Sequence, residues 1–105
     1  MEQPNLHYIN ELSGDNQEFK AKLISILKEE LPKEIQGYSK EIKNLSYYDA
    51  SQSVHKLKHK ISILGLEKSY YLAEEYEGNL INENAFLRLE FDTILKSMQE
   101  FVNSL

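Results

Sequence analysis

The chain has 105 residues, with 12 Lys and Arg against 17 Asp and Glu, a formal net charge of −5, and no Cys or Trp. That length suits one domain spanning 1–105 with one modest core, and no large crevice between domains. The absence of Cys excludes disulfide scaffolds, thiolate nucleophiles and Cys-based zinc sites. The acidic balance argues against a general nucleic-acid or anionic-lipid binder, no apolar run is long enough to cross a membrane, and no basic-then-apolar leader is visible. A cytoplasmic protein is expected, and Met1 favours a free-standing one.

Helix signals follow one another along the chain. Leu6, Ile9 and Leu12 make a short apolar stripe behind Pro4, and Ser13-Gly14 stops it. Asp15, with Glu18 three residues on, reads as a capping box. From there Phe19, Leu23, Ile26, Leu27, Leu31, Ile35, Tyr38, Ile42 and Leu45 recur at steps of three and four. Pro32 interrupts this stripe without shifting its phase, so one long, bent helix is favoured over two. Ser46 with Asp49 suggests the next cap, Ala50, Val54, Leu57, Ile61 and Leu64 share a face, and Gly65 ends it. Leu66, Tyr70, Ala73 and Tyr76 mark a fourth helix, broken near Gly78-Asn79. Asn82 or Asn84 can cap the last, which carries Leu87, Phe91, Ile94, Leu95, Met98, Phe101, Val102 and Leu105. The main helices are predicted over about 16–44, 48–64, 67–78 and 84–103.

Four amphipathic helices with short connections bury their stripes most economically as an antiparallel up-and-down four-helix bundle. The expected fold is therefore all-α, a monomer, with the short first helix across one end. The rival is an open bundle that completes its core with a partner.

The chemistry concentrates in Val54-His55-Lys56-Leu57-Lys58-His59-Lys60-Ile61-Ser62-Ile63-Leu64-Gly65. On a wheel of 100° per residue, His55 points roughly 140° from the centre of the core face, with His59 and Ser62 one and two turns on. Lys58 flanks the same surface, and Lys56 and Lys60 are expected to complete a local basic patch. Ile63 lies roughly opposite the core, either incidental or part of an apolar docking patch. A neutral imidazole on the solvent side of a rigid helix can attack phosphorus and hold a phosphoryl group as a phosphoramidate. Lys58 is placed to offset the charge that develops on the oxygens. No Walker-type or kinase glycine loop is present, so no ATP site and no autokinase activity are expected. A zinc site from His55, His59 and Glu77 is disfavoured: the helix lacks the Glu that metalloprotease helices place after the first His, and lysines surround it. No metal and no cofactor are expected.

Here the chain resembles the histidine phosphotransfer (HPt) domains of bacterial multistep phosphorelays. Their pattern is Ala-His-x-Leu-Lys-Gly, a second Gly six residues on, and a Leu-Glu pair eleven and twelve residues beyond that. This chain has Val54-His55-Lys56-Leu57-Lys58-His59, then Gly65, then Tyr76-Glu77. Tyr8-Ile9 through Leu12-Ser13-Gly14-Asp15, with Phe19, is similar to the family's lead-in to its first long helix. The resemblance implies a four-helix bundle that exchanges a phosphoryl group with the aspartate of receiver domains. His55 would be the phosphorylated residue, Lys58 the supporting cation, and Glu77 the polar group that orients the imidazole from the neighbouring helix. Partners would be receiver (response-regulator) domains and hybrid sensor kinases. One position departs: His59 stands where the family has Gly, beside the docking surface. With Lys56, Ser62 and Ile63 it forms the set of docking or supporting positions. Two other readings stay open, a module that binds receivers without accepting phosphate and a purely structural helical bundle.

Overall fold

The computed structural model describes residues 2–105. Its elements are α1 (His7–Ser13), α2 (Gln17–Lys43), α3 (Tyr47–Ile63), α4 (Glu67–Ile81) and α5 (Arg88–Asn103). The last four form a largely antiparallel up-and-down bundle, and the short α1 packs against α2. Each long helix turns its apolar stripe inward: Leu27, Leu31, Tyr38 and Ile42 from α2, Ala50, Val54, Leu57 and Ile61 from α3, Ala73, Tyr76 and Leu80 from α4, and Phe91, Leu95, Met98 and Val102 from α5. Among the described residues, no helix is long and apolar enough to cross a membrane.

The helix α2 runs through Pro32 without a break. Proline removes one backbone bond there, but Leu27, Leu31, Tyr38 and Ile42 on both sides of it stay buried in a single face. At the centre of the core the Tyr38 and Tyr76 hydroxyls meet at 2.6 Å, and Tyr38 also donates to Asp92 Oδ1 at 3.2 Å. The Phe91 ring packs at 5.2 Å from that of Tyr38 and 5.1 Å from that of Tyr76. A buried tyrosine needs a partner for its hydroxyl, and this trio supplies it while locking α2, α4 and α5 together. Burial raises the Asp92 carboxyl above its ordinary range, against the Tyr38 hydrogen bond and the Arg88 charge that favour its ionised form.

Three caps differ from the sequence expectation. At the start of α2 the side chain that caps is Asn16, not Asp15: its Oδ1 accepts the Phe19 N–H at 2.9 Å. Ser46 stands at the cap position of α3 without a side-chain bond. Neither Asn82 nor Asn84 caps α5, which begins at Arg88 rather than near residue 84. Asn84 Oδ1 instead accepts the Phe86 N–H at 2.7 Å, closing a local turn that delays the helix. Nor does Gly78 break α4, which continues to Ile81; a single helical Gly costs only about 1 kcal/mol. We expect Asn16→Ala to lower stability by about 1 kcal/mol and Asp15→Ala to leave it unchanged, as read by urea melts.

The segment ahead of α1 closes one end of the bundle. Glu2 accepts the Lys68 and Ser69 N–H groups, both at 2.8 Å, so α4 is capped by a residue far away in sequence. Although partial burial opposes the charge, these bonds hold the Glu2 carboxyl below its ordinary value. The Asn5 N–H donates to the Leu64 carbonyl at 2.9 Å. Gly65 sits beneath, with φ of +75°, and a Cβ there would lie 2.6 Å from the Asn5 side chain. Both backbone and contact therefore require glycine at this turn. Gly65→Ala is expected to cost about 1–3 kcal/mol in thermal unfolding, and Asn5→Gly in the same chain to recover only the contact part.

Candidate functional site

The site lies where α3 faces α4. Val54, Leu57 and Ile61 bury the inner face of α3, which sets the rotation of the helix and turns His55 outward, its side chain 54% exposed. Across from it, Tyr76 is fixed in the core by Tyr38, and the next residue, Glu77, reaches the rim of the α3–α4 groove. The Glu77 carboxylate lies 3.3 and 3.2 Å from His55 Nδ1. A carboxylate only accepts, so it selects the tautomer with the proton on Nδ1 and leaves Nε2, at the opposite edge of the ring, with its lone pair. The Tyr76-Glu77 pair thus places its carboxylate on the side of the His55 ring that the family resemblance implies.

Lys58 is one turn along, nearly buried, with its ammonium 2.9 Å from Glu77 Oε1 and 5.6 Å from the centre of the Tyr70 ring. That distance is within cation–π range. Burial works against the ammonium, but the Glu77 carboxylate outweighs it and raises the Lys58 pKa above its ordinary value. The sign follows: this contribution to stability is complete below the ordinary lysine value of 10.5 and is lost as pH rises through the raised value. Glu77 therefore accepts from two groups, the His55 ring on its outer side and the Lys58 ammonium beneath.

Two expectations are corrected here. The three lysines do not form one patch. Lys60 turns toward α2, where its ammonium bridges Glu30 and Glu34 at 3.0 Å each. Lys56 also lies on the α2 side, in a shallow groove with Lys33, Gly37, Glu41 and Ser53. Nor is Ile63 an exposed apolar contact beside His55: it is half-buried against the core.

His59 is exposed. Its ring stands edge-on to that of His55, with centroids 5.8 Å apart and planes at 86°. With Ser62, Gly65, Glu67, Tyr70 and Tyr71 it lines a groove of about 460 Å³ between α3 and α4. Among the described residues, no three His, Asp or Glu side chains are grouped to hold a metal ion. The sequence reading missed Tyr70 as a neighbour of the site: its place in the α4 stripe marks it as a core residue, yet half-burial leaves its ring face to Lys58. Comparison of the chain with protein-family models, curated proteins and solved structures yields no match in any of the three, and the all-α helical bundle is the level of likeness established.

Proposed function

We propose that this protein is a phosphoryl carrier that takes a phosphoryl group onto Nε2 of His55 from the aspartyl phosphate of a receiver domain and passes it to another, in the cytoplasm, as histidine phosphotransfer domains do. The observation that carries this reading is the exposed His55 ring whose Nδ1 is engaged by Glu77. An imidazole held in that tautomer presents a free nucleophilic nitrogen to solvent on a rigid helix.

The step balances without a cofactor. The Nε2 lone pair attacks phosphorus, the N–P bond forms as the P–O bond to the receiver's aspartate breaks, and the aspartate leaves as a carboxylate. The proton on Nδ1 stays there, and the Glu77 carboxylate offsets the positive charge that the ring gains. Reversal returns the phosphoryl group to a second aspartate. The chain has neither a Walker-type nor a kinase glycine loop, so the phosphate comes from another protein rather than from ATP bound here.

The test is incubation of the purified chain with a phosphorylated receiver domain. One acid-labile phosphoryl group per chain is expected, and none with ATP alone. Receiver binding without label would instead support a docking module, for which the His59 ring in place of the family's glycine is the observation in favour.

A further inference from the structure

A phosphoryl group on Nε2 of His55 brings negatively charged oxygens to the outer side of the ring and calls for a cation there. Lys58 is spoken for: its ammonium sits 2.9 Å from Glu77 and is only 11% exposed, on the Nδ1 side. Lys60 is bound by Glu30 and Glu34, and Lys56 lies in the groove toward α2. The side chain left next to His55 on its exposed face is His59, one turn along, with its ring 5.8 Å away and edge-on.

We propose that His59, as an imidazolium, donates a ring N–H to a phosphoryl oxygen carried by His55 and thereby holds the phosphohistidine. This rests on phosphoryl acceptance at His55 and extends it by assigning the binding cation. His59 makes and breaks no bond to phosphorus. The charged and titratable groups around it agree in sign: on α3, His55 carries the anion and the Lys58 charge is offset by Glu77, while on α4 the Glu67 carboxylate lines the same groove beside Tyr70 and Tyr71. The doubly protonated ring carries an N–H on each nitrogen, so either edge can donate to the phosphoryl oxygens. In this chain the ring at the usual glycine position then does what Lys58, turned inward, does not.

The test uses the full nitrogen-15-labelled chain and the small-molecule donor phosphoramidate, with phosphorus NMR reading the phosphohistidine and nitrogen NMR the His59 ring at about pH 7. In the wild type, phosphorylation should move both His59 ring nitrogens to the shifts of the doubly protonated ring. His59→Gln should lower the steady phosphohistidine level about fivefold to tenfold, and His59→Lys should restore it to within about twofold. Equal levels in wild type and His59→Gln, with His55 labelled in both, would overturn the assignment of His59 and leave acceptance at His55 standing. Absence of label on His55 in all three proteins would overturn both.

Discussion

His55→Ala is expected to abolish labelling by a phosphorylated receiver while leaving the bundle folded. The ring is more than half exposed and is not one of the core residues, so its removal should change stability by no more than about 0.5 kcal/mol. Glu77 keeps its contact with Lys58 in the variant, and no buried charge is left unpaired. His59→Gly is expected to keep its label on His55, at the lowered level set by loss of the His59 ring, because the nucleophile and its Glu77 partner both remain. Exposure alone does not separate the two rings, since both are exposed. What separates them is the carboxylate on Nδ1, which His55 has and His59 has not. Receiver-to-protein transfer on both variants, with helicity checked by circular dichroism, reads this directly. Full labelling of a folded His55→Ala chain would contradict the assignment, and loss of labelling in both variants would place His59 in the chemistry itself.

Glu77→Gln should have the next largest effect, and it acts in two ways. An amide cannot offset the positive charge that the ring gains on phosphorylation, so transfer should slow by about 10–100-fold, the scale seen when the partner that orients a functional histidine is lost. The same change leaves the nearly buried Lys58 ammonium without its carboxylate, at a cost of about 1–3 kcal/mol. Lys58→Met separates the two: it removes the buried charge while keeping Glu77 on His55. Transfer should then be slow in Glu77→Gln and far less affected in Lys58→Met, with rates measured well below both melting transitions. Unchanged transfer in Glu77→Gln would remove the orienting role.

The helices were legible because the apolar steps of three and four persist across each of them, even through Pro32, and buried area outweighs one lost backbone bond. Ends were less legible. Asp15 and Asn16 are both good caps side by side, and only the backbone geometry selects Asn16. The cap of α4 comes from Glu2, which no local pattern reveals. At the site, the outward direction of His55 follows from helical spacing, whereas the reach of Glu77 from the neighbouring helix was legible only through the resemblance to the phosphotransfer family. The lysines were misread because an angle from the core face has a sign. Lys58 lies on the α4 flank of α3 and Lys60 on the α2 flank, so a stretch alternating Lys with other residues distributes its charges to different neighbours. The likeness to the phosphotransfer family rests on spaced single residues, with His59 departing from the pattern, and no family model matches the chain.

The central claim is that phosphorus bonds to Nε2 of His55 because Glu77 occupies Nδ1. Phosphorus–nitrogen correlation NMR on the nitrogen-15-labelled chain, phosphorylated by a receiver domain, tests it most directly. The account predicts a single phosphohistidine whose phosphorus couples to Nε2 of His55, with Nδ1 still protonated. Phosphorus on Nδ1 of His55, or on His59, would contradict it.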